Sequence, residues 1–186
     1  MKRKTMLISV GVTVALAVLA TGAAISAQDK YTLKVPGGLA FSEFRGYESW
    51  QMISVSHNGP VLAVILGDPA MIKAFQSGIP DNGKPFPDGV RMAKVHYIPK
   101  KVDTLPGQPV MPDHQSDVDF MLKDSKRFAD SGGWGYAVFK YDPATDTFKP
   151  GDLTGTPPQG NDAKCGAACH TITKSRDFVF TSYQHR

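Results

Sequence analysis

The chain of 186 residues is 41% hydrophobic and carries 21 basic and 17 acidic side chains, a formal net charge of +4. Three of the basic residues lie within the first 27 positions, which hold no acidic residue, so residues 28–186 carry 18 basic and 17 acidic side chains and a net charge of +1. This near balance gives no support for nucleic-acid binding. The length of residues 28–186 is enough for one domain with a hydrophobic core, but not for two.

The N-terminal segment has the three-part layout of a secretory signal. Three basic residues at positions 2–4 precede an uncharged run over residues 5–26, which ends in small residues suited to cleavage. We therefore predict a signal peptide at residues 1–27, export to the periplasm, and one mature domain at residues 28–186. An uncleaved membrane anchor is the alternative, because an uncharged run of about 20 residues can just span a bilayer.

An aromatic stripe and a hairpin are the first elements predicted for the mature domain. Aromatic residues recur every third position over residues 41–50, the spacing of one helical face, and we interpret them as core packing. Two β-rich runs at residues 51–57 and 61–66 flank the dipeptide Asn58-Gly59, a strong turn signal. This arrangement predicts a hairpin.

A short helix and a loop are expected next. Asp68 and Pro69 supply an N-cap and a first-turn proline, and Gly78 supplies a stop, so residues 68–77 are predicted to form a helix. Residues 79–89 are crowded with proline and glycine and are expected to form a loop.

A strand is predicted at residues 90–98. Period-two alternation places Lys94 on the same face as Met92, His96 and Ile98. Burying a lysine among apolar neighbours is costly unless the ammonium is paired, so Lys94 is a candidate functional residue. The alternative is that this face is partly wet and the ammonium reaches solvent.

The remaining elements favour an α+β domain. Residues 99–112 are expected to form a proline-rich connection, and residues 118–122 and 134–141 are predicted to be strands joined by a helical turn and a glycine loop. Residues 142–160 show little periodicity and are expected to wrap the surface. Antiparallel-type strands mixed with short helices indicate the α+β class.

The two cysteines carry the clearest chemical signal. Cys165 and Cys169 stand four positions apart, and His170 follows directly. A disulfide loop, a metal site and haem attachment compete as explanations. Haem attachment is favoured, because two thiols can bond the haem vinyl groups while the adjacent imidazole reaches the iron from the same turn, as in C-x-x-C-H with one residue added. We expect the added residue to form a bulge.

With these residues the sequence resembles the cytochrome P-460 family, which includes the cytochromes called c-prime-beta. The resemblance covers most of the mature chain, from about residue 41 to residue 183. Besides the cysteine motif it rests on Phe44-Arg45-Gly46-Tyr47 with Trp50, Phe86-Pro87-Asp88-Gly89 followed by Lys94, residues 118–128, Gly132-Gly133-Trp134-Gly135-Tyr136, and Asp177-Phe178-Val179-Phe180-Thr181.

The resemblance implies a mainly antiparallel sheet with flanking short helices, usually a homodimer, and one covalently bound haem c with His170 as its iron ligand. In the hydroxylamine-oxidising members a lysine is joined to the haem ring, and its position corresponds to Lys94. An acidic residue shortly before the cysteines assists catalysis in those members. The nearest acidic residue here is Asp162, whose alternative interpretation is a solvated loop carboxylate; Arg45 and His96 are other candidate polar groups.

The function implied by the resemblance is oxidation of hydroxylamine to nitrous oxide, with nitric oxide chemistry, at a five-coordinate haem. A soluble electron-acceptor cytochrome is the expected partner. The alternative is a c-prime-beta-like cytochrome that binds nitric oxide or transfers electrons without turnover, behind an apolar wall for which Phe41, Phe44, Phe75 and Phe86 are candidates. A third alternative is an exported binding domain, without haem, closed by a disulfide.

Overall fold

The computed structural model describes residues 27–35, 38–151 and 163–183. Among these residues, six antiparallel strands form one sheet in which each strand pairs with the next along the chain. The strands are β1 Gln51–Asn58, β2 Val61–Gly67, β3 Arg91–Lys101, β4 Val110–Lys123, β5 Trp134–Asp142 and β6 Thr147–Pro150.

Within the part of the chain that the structure describes, two short α-helices and five 3₁₀-helices flank the sheet. Helix α1 spans Pro69–Gln76 and helix α2 spans Ala163–His170, while the 3₁₀-helices are Lys30–Thr32, Phe41–Phe44, Tyr47–Ser49, Ala129–Ser131 and Thr171–Arg176. This architecture confirms the predicted α+β class with a mainly antiparallel sheet. Within the described ranges, no helix has the length and apolar character needed to cross a membrane.

The predicted hairpin and the predicted helix are both confirmed. The turn between β1 and β2 includes Gly59 with a φ of 58°, a left-handed conformation that glycine adopts without steric cost. Helix α1 begins after Asp68, whose Oδ1 accepts a 2.7 Å hydrogen bond from the backbone N–H of Met71. Asp68 therefore acts as the N-cap that the sequence predicts.

The aromatic stripe forms two 3₁₀-helices rather than one α-helix. Gly46, with a φ of 80°, separates them. A 3₁₀-helix has three residues per turn, so residues three apart lie directly above one another and a period of three fits it well. Phe41, Phe44 and Tyr47 are buried, and Phe44 stacks on Phe120 of β4 at 4.0 Å between ring centroids. Their predicted role in the core is confirmed.

Two predictions about the strands are wrong in their bounds. Strands β3 and β4 continue into the expected connection at residues 99–112, where Pro99 lies opposite Pro112 beside a register shift. Irregular pairing at that shift tolerates residues that lack an N–H donor. Strand β6 lies within residues 142–160, where four residues pair with the edge of β5 without showing any periodic pattern.

The alternation of side chains along β3 divides the core into two parts. Ala93 and Val95 pack on one face with the N-terminal aromatic residues. Met92 lies on the opposite face, which is covered by helix α1 and by the segment around Val179. Lys94 lies on this second face, as its position relative to Met92 predicts.

Candidate functional site

Helix α2 carries the two cysteines and the histidine. Cys165 and Cys169 are exposed free thiols four residues apart, so they lie about 40° apart around the helix and share one side of it. His170 is the last residue of the helix. The segment is a continuous α-helix, so the expectation that the added residue bulges is wrong: a spacing of four fits one helical turn without any distortion.

The imidazole of His170 is held in one orientation. Its Nδ1 lies 2.6 Å from the carbonyl oxygen of Phe178, which can only accept, so Nδ1 carries the proton and donates. The ring lies against Tyr136 and Phe180, with centroids at 5.2 and 4.9 Å. This leaves Nε2 as the unprotonated nitrogen, the form in which an imidazole binds a metal.

Burial lowers the pKa of His170, and the ammonium of Lys94 acts in the same direction, although the hydrogen bond to Phe178 opposes both. The neutral imidazole is therefore the favoured form at neutral pH. A ligand that does not have to lose a proton binds a metal without that cost.

A buried ion pair fixes the chain that follows helix α2. Asp177 adopts a left-handed conformation, and its Oδ1 accepts a 2.7 Å hydrogen bond from Nζ of Lys123, which is 5% exposed. The other carboxylate oxygen accepts from the backbone N–H of Phe86 at 2.7 Å. The indole of Trp134 donates to the Asp177 carbonyl at 2.9 Å. These contacts hold the next residue, Phe178, where its carbonyl meets His170.

Two glycines allow the C-terminal segment to approach the sheet. A Cβ on Gly166 of helix α2 would lie 3.0 Å from the side chain of Tyr136, and a Cβ on Gly132 would lie 2.3 Å from the ring of Phe178. Gly132 also has a φ of +71°, which side chains rarely adopt. Gly132 belongs to the Gly132-Gly133-Trp134 segment of the sequence pattern. The close packing of Phe178 therefore explains why a glycine is needed there.

One cavity joins the predicted site residues. It has a volume of about 630 Å³, within the range of roughly 300–1,000 Å³ usual for small-molecule and cofactor sites. Cys165, Cys169, His170 and Lys94 all line it. The wall also includes Ile65, Met92, Met121, Tyr136, Val179 and Phe180. The structure thus brings together, from β3 and α2, four residues that lie up to 76 positions apart in the sequence.

Other candidates lie elsewhere. Asp162 is outside the described residues. Arg45 is not at the cavity, because its guanidinium lies 3.8 Å from the ring centre of Tyr31, beside the core on the opposite face of the sheet. His96 lies two residues after Lys94 on β3 and contacts Asp117 and Asp119 of β4.

The expectation that four phenylalanines build the wall of this cavity is wrong. Phe41 and Phe44 pack on the opposite face of the sheet, and Phe75 and Phe86 pack against each other in the core around helix α1. Phe180 is the phenylalanine of the C-terminal segment that lines the cavity. The three-residue period of the aromatic stripe shows that its side chains are buried. It does not show which face of the sheet they cover.

Asp119 of β4 is a cavity residue that the sequence interpretation missed. It lies directly opposite Lys94 in the register of β3 and β4, and His96 lies opposite Asp117. Burial raises the pKa of Asp119 to about 6, despite the opposing effects of His96, Lys94 and Lys140. A charged residue between the apolar Val118 and Phe120 was the signal that could have found it, but its neighbours depend on strand register.

The residues present fit a haem. The cavity has the size of a cofactor site, an imidazole with a free Nε2 and two thiols lie on one of its walls, and Gly166 keeps helix α2 close to the sheet. Fold and cavity together define a class: an α+β protein with a haem-binding cavity between an antiparallel sheet and a C-terminal cysteine-histidine helix.

The family model described as Cytochrome P460 matches residues 44–181, most of the chain. The chain therefore belongs to the cytochrome P460 family, which makes it a haem-binding cytochrome and confirms the resemblance seen in the sequence. No curated protein matches the chain.

Proposed function

We propose that this cytochrome oxidises hydroxylamine at one covalently attached haem c. Cys165 and Cys169 form the two thioether bonds, His170 binds the iron through Nε2, and Lys94 is joined to the haem ring. The observation that supports this proposal most directly is that all four side chains line one cavity of cofactor size in a member of the cytochrome P460 family.

Each residue has a physical part in the proposal. The haem iron, when bound, supplies a redox centre that can coordinate a small nitrogen compound and take its electrons. The hydrogen bond from His170 to Phe178 orients the imidazole before the iron binds. Because both thiols are used for attachment, neither remains as an iron ligand, so P450-type oxygen activation is not expected.

The bond to Lys94 needs an oxidant. Joining Nζ to a ring carbon removes one hydrogen from each atom, so an external two-electron oxidant such as a peroxide has to act during maturation. Lys94 is half-buried and lines the same cavity as the cysteines and His170, which supports its assignment as the residue joined to the haem ring.

A second candidate function is nitric oxide binding without turnover. The cavity wall contains the apolar side chains of Ile65, Met92, Met121 and Val179. An apolar wall favours a small neutral ligand over a hydrated ion. Hydroxylamine turnover separates the two functions.

Location and partners belong to the same proposal. Export through the N-terminal signal would place the protein in the periplasm, where haem attachment and disulfide-forming conditions both occur. Electrons taken from hydroxylamine would leave to a soluble cytochrome, and the functional unit would be a homodimer. Sedimentation equilibrium of the purified protein tests the last point.

Attachment is tested by an absorption spectrum and an intact mass. Protein made in a host that matures c-type cytochromes should show a Soret band and a mass that includes one haem after denaturation. A Lys94 bond shifts the ferrous band to the red and makes the adduct two hydrogens lighter. A colourless protein in which Cys165 and Cys169 form a disulfide would refute the proposal.

Turnover is tested with Lys94→Ala and a matched control on the same strand. Hydroxylamine oxidation is followed with an artificial electron acceptor. Lys94→Ala should lose most activity, whereas Lys100→Ala, which truncates a side chain that is 68% exposed, should keep it. Equal activity of the wild type and Lys94→Ala would remove Lys94 from the mechanism. Nitric oxide binding without any turnover would favour the second candidate function.

A further inference from the structure

Two consecutive residues in the segment after helix α2 have a backbone conformation that side chains rarely adopt. Asp177 has a φ of 49° and Phe178 has a φ of 64°, both in the left-handed region. Aspartate tolerates this region, but a bulky residue such as phenylalanine is strained in it. Strain of this kind persists only where the surrounding contacts determine the backbone, and it is common at functional sites.

The strained residue directs a carbonyl at His170. The backbone N–H of Phe178 donates to the carbonyl of Thr173 at 3.0 Å, and its own carbonyl oxygen lies 2.6 Å from Nδ1 of His170. With the N–H held by Thr173, the direction of the carbonyl depends on the backbone angles of Phe178. The left-handed conformation therefore serves the hydrogen bond that orients the imidazole.

The contacts that hold this backbone come from Lys123 and Trp134. Nζ of Lys123 donates to Oδ1 of Asp177 at 2.7 Å and to the carbonyl of Gly132 at 3.0 Å, and it lies 5.1 Å from the ring centre of Trp134. The Trp134 indole donates to the Asp177 carbonyl at 2.9 Å. Asp177 is thus tied to the sheet through both its side chain and its backbone, immediately before Phe178.

We propose that the buried pair of Lys123 and Asp177 positions the iron ligand, and that it thereby lowers the reduction potential of the haem. The pair holds the Phe178 carbonyl against the Nδ1–H of His170. This inference rests on the proposed function, because it takes His170 as the ligand that binds iron through Nε2.

The effect on the potential follows from the basicity of the imidazole. An acceptor at Nδ1–H raises the basicity of a histidine ligand and fixes the orientation of its ring. A more basic ligand donates more electron density to the metal and favours the ferric over the ferrous form, so the potential falls. A lower potential favours the transfer of electrons from the haem to the acceptor cytochrome.

A charge-neutral double variant separates this hydrogen bond from a direct effect of charge. Lys123→Met with Asp177→Asn removes one positive and one negative charge, so the net charge near the haem is unchanged. Because the haem is attached through Cys165 and Cys169, it stays with the protein when the histidine is less firmly oriented. Any change in the iron is then due to the position of the Phe178 carbonyl.

The potential is measured by spectroelectrochemical titration of the holoprotein. In the double variant the ratio of ferrous to ferric protein at a fixed applied potential should rise by about tenfold, the lower end of the effect of second-shell partners on metal sites. For a one-electron couple this is about 59 mV. Asp81→Asn removes a carboxylate from the neighbouring surface pair with Arg176, where the aspartate is 64% exposed, and should leave the potential unchanged.

Resonance Raman spectra of the ferrous protein give a second measurement at the ligand itself. The iron–imidazole stretching band weakens in frequency when the Nδ1–H bond is lost, so it should shift down in the double variant and stay in place in Asp81→Asn. A loss of stability without a change in the potential and the band would show a merely structural pair and overturn the proposal. A raised potential with an unchanged band would also overturn it.

Asp177→Asn is the second variant, for the case in which the double variant does not fold. Its potential would also respond to the lost charge, so the stretching band alone decides. A downward shift supports the positioning role, and an unchanged band overturns it.

The outcomes separate this inference from the proposed function. A shifted band and a raised potential in the double variant, with a wild type that does not oxidise hydroxylamine, would refute the proposed function and support the positioning role. Hydroxylamine oxidation by the wild type, together with an unchanged band in both variants, would overturn the positioning role and leave the proposed function standing.

Discussion

Replacing Asp177 by asparagine would test what holds the His170 segment in place. The carboxylate pairs with Lys123, and the two side chains are only 12% and 7% exposed. Asparagine has nearly the same shape and tolerates the left-handed backbone of this position, which has a φ of 49°. The substitution therefore removes the charge and leaves the ammonium of Lys123 buried without its counter-charge.

The expected loss of stability is large for a single charge. Breaking a buried ion pair on one side costs about 3–5 kcal/mol, because the remaining charge stays out of water. The backbone N–H of Phe86 can still donate to an amide oxygen, so we expect the lower end, about 3 kcal/mol. Urea denaturation of the wild type and of Asp177→Asn gives the difference in the free energy of unfolding.

A surface ion pair in the same segment provides the control. Arg176 pairs with Asp81, whose side chain is 64% exposed. Asp81→Asn should cost no more than about 1 kcal/mol, as exposed pairs do. Equal losses for Asp81→Asn and Asp177→Asn would refute the argument that burial of Lys123 makes its pair important. The double variant Lys123→Met with Asp177→Asn should recover part of the loss, because no unpaired charge remains.

Two further substitutions test local geometry. Gly132→Ala should cost more stability than Gly107→Ala in thermal denaturation. Both glycines have a positive φ, but a Cβ at Gly132 would also lie 2.3 Å from the ring of Phe178, whereas the space around Gly107 is open. Equal losses of stability would contradict this packing. Asp68→Ala should lower the free energy of unfolding by about 1 kcal/mol through loss of the helix α1 N-cap, and an unchanged urea midpoint would contradict that role.

The sequence predicted those parts of the fold that depend on neighbouring residues. The hairpin at Asn58-Gly59 and the helix after Asp68 are set by turn and capping chemistry within a few positions, and both were found. Strand β6 was missed because its pairing is with β5 and not with a pattern of its own. Local chemistry is visible in a single sequence, whereas pairing with an edge strand is not.

The candidate site divides in the same way. The cysteines and His170 can be recognised in the sequence by their spacing, and Lys94 by its position in a strand of alternating polarity. Asp119 can be recognised as a cavity residue only when the register of β3 and β4 is known, because that register places it opposite Lys94. A shift of one residue would point its side chain to the other face of the sheet. A residue whose role depends on register is therefore found from the structure first.

The cysteine spacing illustrates how helix geometry and packing act together. At about 100° per residue, Cys165, Cys169, Gly166 and His170 lie at about 0°, 40°, 100° and 140° around helix α2, on one continuous side. All four line the cavity. Gly166 occupies the interior of that side, where a Cβ would press against Tyr136. With this spacing both sulfurs and the imidazole still lie on one wall of the cavity, and Gly166, which has no side chain, lets the helix stay close to the sheet.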